Sequence, residues 1–149
     1  MNHLSDEWLD ERFARSGARC SRTDFEVAAT CHVTVTDDPA AEYAKLKPAA
    51  ALYMGGMGAP EMNFRAEVYR RMGYEQVVAD VGRLFMSGRK EEAVAAVPDE
   101  LIAETAIIGN VEHVRAETRR WEVAGVTSLV VDCRDVASVR ALGEALATQ

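Results

Sequence analysis

FEVAATCHVTVT, residues 25–36, decides the fold class of this chain. Phe25, Val27, Ala29, Cys31, Val33 and Val35 alternate with Glu26, Ala28, Thr30, His32, Thr34 and Thr36. Successive side chains of a strand point to opposite faces, so this unbroken period of two predicts a strand with one apolar face and one small, polar face. An antiparallel sheet with a wet side gives that pattern, and so does a barrel strand with a polar upper lumen.

Downstream, DDPAAEYAKLK (37–47) opens a helix with Asp37 or Asp38 as cap and Pro39 at the first helical position. Pro48 has no N–H and crowds the preceding turn, so a kink or restart is expected there. Pro60 is placed to open a helix in which Phe64, Val68 and Met72 recur at i+4 and which Gly73 stops. YEQVVADVGRLFMSG (74–88) sets Val77, Val78, Val81, Leu84 and Phe85 on one stripe. KEEAVAAV (90–97) is a short helix halted by Pro98, and PDELIAETA (98–106) begins another. Asn110 caps VEHVRAETRRWEVAG (111–125), where Val114, Thr118 and Trp121 share a face. VTSLVVD (126–132) is a short apolar run of the kind buried on both sides of a sheet. Asp135 then caps a closing helix with Val136, Val139, Leu142 and Leu146 as its buried stripe. Near the start, Ser5 caps a short acidic helix with Trp8, Leu9 and Phe13 on one face.

This reading yields a helix-rich α/β chain with two strands, one on each side of residues 37–125. Two strands make a poor sheet alone. Either the chain is a helical pack around a two-stranded core, or its sheet is completed by residues that the chain does not contain.

Composition narrows the function. At 149 residues, 48% hydrophobic and 28% charged, the chain has the make-up of one globular domain. A net charge of −7 disfavours a nucleic-acid footprint and an anionic membrane surface, both of which call for clustered Lys and Arg. No apolar run reaches the roughly 20 residues of a membrane span, and the acidic N-terminus has no signal-peptide pattern. Cys20, Cys31 and Cys133 include no C-x-x-C pair and read as reduced thiols of a cytoplasmic protein. His3, His32 and His113 are scattered, so no metal site is expected.

YMGGMGAPEMNF (53–64) asks for close backbone approach at Gly55, Gly56 and Gly58. It is not a dinucleotide loop, since G-x-G-x-x-G is absent, and no G-K-[ST] follows to make a phosphate loop. A tight turn between helices, with Asn63 bonding the turn and Phe64 packed beneath it, is one reading; contact with a bound molecule is the other.

The blocks Y-M-G-G-M-G, N-F, R-R-M-G-Y, L-F-M-S-G-R-K-E-E-A, A-V-P-D-E-L, I-G-N and W-E-V-A-G-V-T occur in that order from Tyr53 to Thr127. Together they resemble the C-terminal half of the luciferase-like oxidoreductases, in particular the subgroup using the deazaflavin coenzyme F-420. The likeness runs from about Trp8 to about Leu146. It implies the C-terminal part of a TIM (β/α)8 barrel within one domain, 1–149. Residues 25–36 become the seventh strand, 37–125 a large helical insertion with its connecting helix, 126–132 the eighth strand and 135–147 the last helix. A complete barrel needs about 250 residues, so six strands and the loops that hold most of the cofactor have no counterpart here. Catalytic residues therefore cannot be carried over.

The resemblance places Gly55, Gly56, Gly58 and Asn63 beside the pocket mouth, and Thr34 and Arg134 at the catalytic strand ends, with Arg134 suited to an anionic group. His32 lacks a carboxylate partner in sequence and reads as a hydrogen-bonded histidine. Cys133 has no base nearby in sequence to activate it. The implied function is flavin- or deazaflavin-dependent hydride transfer or oxygen insertion on a small molecule, with coenzyme F-420 or FMN as cofactor. The chain alone is expected to be inactive, either as one subunit of a split barrel or as a remnant. A non-catalytic helical interaction module is the alternative. Exposed edges on residues 25–35 are expected to drive self-association.

Overall fold

The structure is a computed structural model that describes residues 11, 14–15, 26–58, 62–132 and 136–147. The N-terminal helix reading, Pro60, Cys133, Arg134 and the Asp135 cap fall outside those residues. The order of elements is β1 (Ala28–Val35), α1 (Pro39–Gly55), α2 (Phe64–Arg71), α3 (Glu75–Met86), α4 (Lys90–Ala95), α5 (Asp99–Thr105), β2 (Ala106–Gly109), α6 (Val111–Val123), β3 (Ser128–Asp132) and α7 (Val136–Leu146). They divide between two compact units: the strands with α6 and α7, and a helical unit over 38–104.

In the strand-bearing unit, β1 alternates as its sequence requires. Cys31 and Val33 are buried, with Ala29 and Val35 packed beside them, against Val114 and Trp121 of α6 and Leu142 and Ala145 of α7. Its other face, Ala28, Thr30, His32 and Thr34, is exposed or half-buried. The sheet is parallel throughout, in the order β2-β1-β3. The expected pairing of the two sequence-predicted strands is present, with Ala28 opposite Ser128 and His32 opposite Asp132.

Four expectations for this unit are corrected. Residues 37–125 are not wholly helical: β2 lies inside them, because AIIG directly after α5 is too short to show a period of its own. β1 is not an edge strand along its whole length, since β2 pairs with it over 32–35 and β3 over 28–32 on the other side. β3 is not buried on both sides, for Val130 is 54% exposed. On α7, likewise, Val136 and Val139 are exposed while Leu142 and Ala145 face the core. Neighbouring strands of a (β/α)8 ring lie side by side and parallel; β1 and β3 do so, and β2 is an additional strand on the other side of β1.

The helical unit has its own core of Ala51, Met54, Ala66, Val78, Val81, Ala93, Val97 and Leu101. Asp38 caps α1 by accepting from the Ala41 N–H at 3.2 Å, and Pro39 follows at the first turn. The helix runs through Pro48 without a break, which corrects the expected restart. On α2 Phe64 is 74% exposed and Val68 is exposed too, which corrects the reading of Phe64 as packed beneath the turn, and Ala66 faces the core instead. α3 buries Val78 and Val81 as its stripe requires. Lys47 of α1 reaches Asp99 of α5 at 2.6 Å. No described helix is long and apolar enough to cross a membrane.

Candidate functional site

Parallel strands set all their carboxyl ends at one edge of the sheet, and that edge gathers the polar side chains of this unit. Thr34 and His32, two residues apart on β1, point to the same face. Thr34 Oγ1 and His32 Nε2 are 3.1 Å apart and hydrogen-bonded. His32 stands in register with Asp132, the last residue of β3, and with Ala106 of β2. Neighbouring strands lie about 4.8 Å apart, so Asp132 is the residue next to His32 on the adjoining strand, although no hydrogen bond or ion pair joins their side chains. Sequence reading missed this neighbour. It separates the two residues by a hundred positions, and only strand register brings them together.

Cys31 points to the opposite face. It is buried, and its thiol donates to the His32 carbonyl at 3.5 Å. Burial pushes the thiol up to about 11, against a smaller opposing effect of a hydrogen bond with the Ile107 backbone. At neutral pH it is a protonated core residue and not a nucleophile.

Beyond the ends of β1 and β2 lies a cleft of about 370 Å³ lined by Val35, Thr36, Asp37, Asn110, Val111 and Glu112. Asn110 caps α6, its side-chain oxygen accepting from the His113 N–H at 2.9 Å. The Thr36 N–H donates to the Gly109 carbonyl at 2.8 Å. Gly109 has no room for a side chain, because a Cβ there would sit 2.7 Å from the His113 ring. The I-G-N block is thus a packed strand-to-helix turn. A second cavity, of about 780 Å³, lies between the sheet and α6–α7 near the amino ends of β1 and β3, with Val27, Trp121, Leu129, Leu142 and Leu146 among its walls.

The glycine-rich segment serves the helical unit. A Cβ on Gly55 would stand 2.5 Å from Phe85 Cβ and 3.3 Å from Gly82 Cα, so α1 and α3 touch backbone to backbone there. Gly56 meets the Phe85 ring and Leu52. Gly58 turns the chain at φ +86°. Asn63 is buried; its amide donates to the carbonyls of Tyr53 at 2.8 Å and Met54 at 3.2 Å, and its oxygen accepts from the Ala66 N–H at 3.0 Å. One side chain thus closes α1 and opens α2. Of the six residues singled out in sequence, only Thr34 stands at the sheet's carboxyl edge among the described residues. Among those residues, no three of His, Cys, Asp and Glu group as metal ligands.

Comparison with known proteins adds two findings. The sequence profile of the luciferase-like monooxygenases matches residues 7–128. A Mycobacterium tuberculosis protein whose name describes it as a coenzyme F-420-dependent oxidoreductase is 56% identical over 142 residues, covering 95% of this chain. The chain spans 41% of that protein's length.

Proposed function

The chain belongs to the luciferase-like monooxygenase family, and on that premise we propose that it is part of a flavin- or deazaflavin-dependent oxidoreductase acting on a small molecule. One observation carries this reading: 56% identity, sustained over 95% of the chain, to a protein named for coenzyme F-420. The chain supplies one wall of a pocket at the carboxyl ends of its strands, where Thr34 stands. Both compact units belong to one partial barrel domain, and Arg134, next to that edge in sequence, meets an anionic group. Gly55, Gly56, Gly58 and Asn63 act at one remove, by fixing the helical unit.

The described residues do not by themselves fit such a cofactor. Coenzyme F-420 and FMN each carry a phosphate, which calls for cations or a cluster of N–H donors. The cleft at the carboxyl edge presents Asp37 and Glu112, and among the described residues neither cavity has a Lys or Arg in its wall. No chemical step is therefore assigned to the cofactor here. The grip on it belongs to a complementing chain that carries the rest of the family domain, or to a second copy.

Fluorescence titration tests this. The chain alone is expected to bind neither FMN nor coenzyme F-420, and binding is expected on mixing with a chain that carries the remainder of the relative. No binding in either case would overturn the oxidoreductase reading. It would favour the alternative of a helical interaction module, for which the separate core of 38–104 and the exposed Met62 and Phe64 speak.

A further inference from the structure

The cavity of about 780 Å³ near the amino ends of β1 and β3 has no part in the reading above. Its size falls within the roughly 300–1,000 Å³ of small-molecule sites. Val27, Leu129 and Val131 line it from the sheet and Leu142 and Leu146 from α7, over the buried Trp121 of α6. Those five aliphatic side chains are only half-buried, so they keep apolar surface turned to the cavity that a hydrocarbon would take out of water. The polar atoms around it decide what else a ligand carries. The Val27 N–H donates to Thr127 Oγ1 at 2.8 Å, and the Thr127 and Ser128 N–H groups donate to the Val27 carbonyl at 3.0 and 3.3 Å. The Thr118 hydroxyl donates to the Val114 carbonyl at 2.8 Å. These donors are spent on the chain itself and do not gather for an anion.

Negative potential collects there instead. The last turn of α6 and the residues after it form part of the wall through Trp121, Glu122 and Gly125, so the negative end of the helix dipole lies at the cavity. Glu122 adds a carboxylate at the exposed rim. Arg120, the basic residue of that turn, is held by Glu117 at 2.8 Å, and among the described residues neither it nor any other Lys or Arg stands in the wall. We propose that this cavity binds a small amphiphile with a hydrocarbon body and a cationic head. The body lies on Leu129, Leu142 and Leu146 over Trp121, and the head, a primary amine in its simplest form, meets Glu122 and the carboxyl end of α6. A carboxylic acid or phosphate ester of the same length is disfavoured by the same charges. The site lies at the other ends of the strands from Thr34 and uses no redox cofactor, so it stands or falls apart from the oxidoreductase reading.

Titration of the full chain with decylamine, followed by 1H–15N NMR, tests this at about pH 7, where a primary amine is cationic, and below the concentration at which the amine forms micelles. Saturable shifts are expected at the Trp121 indole N–H and at the Leu129 and Leu142 amides, and not over 38–104. Decanol is expected to bind at the same place more weakly, and decanoate weakest of the three. Glu122→Gln, at an exposed position, should weaken decylamine about fivefold and leave decanol unchanged. Wild-type lining signals that stay still under decylamine would overturn the site, as would shifts centred on 38–104. Decanoate bound as tightly as decylamine, or a folded Glu122→Gln variant that binds decylamine as wild type does, would overturn the choice of a cation. Lining signals that follow protein concentration and ignore the amine would give the cavity to a second copy and count against the proposal.

Discussion

Asn63 shows how much one side chain holds. Its amide and its oxygen satisfy two carbonyls of α1 and one N–H of α2 in a buried setting. Asn63→Ala leaves those groups without partners, and a loss of about 2 kcal/mol is expected from urea unfolding. The sequence showed Asn63 as a turn residue, and the structure agrees; its partners at Tyr53 and Met54 were hidden, because they lie on the other side of a masking glycine turn. Cys31 makes a second test at this scale. Burial pushes its folded thiol up to about 11, above its ordinary 9.0, so folded and unfolded chains hold the same proton below pH 9. Above that, the unfolded state loses the proton first, and stability falls as pH rises toward 11. Cys31→Ala should remove an alkaline loss of about 2–3 kcal/mol between those limits, read as the difference between the two stability-against-pH curves. Tyr74, pushed up to about 12 mainly by burial and then by the Glu104 carboxylate that accepts its hydroxyl, adds its own decline at higher pH in both proteins. The difference curve cancels it.

At the scale of elements, long periodic stretches were readable and short ones were not. The alternation around Cys31 gave β1, and the stripe of Val78 and Val81 gave α3, because each repeats long enough to exclude the other period. β2 has four residues and follows a helix, so its sequence could not announce a strand. The apolar row of α2 points outward, as do Val136 and Val139 of α7, while the small residues Ala66 and Ala145 are buried. The glycines mark the same demand for close approach. Gly55→Ala is expected to cost about 1–3 kcal/mol by overpacking against Phe85 Cβ and the Gly82 backbone, neither of which trimming can relieve. At Gly56 the obstacles are the end of Leu52 and the Phe85 ring, so Gly56→Ala combined with Leu52→Ala should recover part of its loss. Thermal unfolding of the set checks both statements, and equal costs at the two positions would contradict them.

For the whole molecule, family membership was legible in the order of the sequence blocks, but strand order was not. Which strand lies beside which depends on contacts between residues a hundred positions apart, and no local pattern encodes them. The positions follow that order: His32 stands opposite Asp132 only because β3 lies against β1. The chain spans 41% of the length of its relative. The account stands on β1 as the middle strand. Thr30 and Val130 are register partners on the open face of the sheet, at a spacing a disulfide can bridge. In a Thr30→Cys/Val130→Cys variant with the native cysteines replaced, mild oxidation is expected to give an intramolecular disulfide in nearly all of the monomer, with the β1 amide signals retained. A folded monomer in which these two positions fail to cross-link would mean that β3 does not lie beside β1, and would remove the site described here.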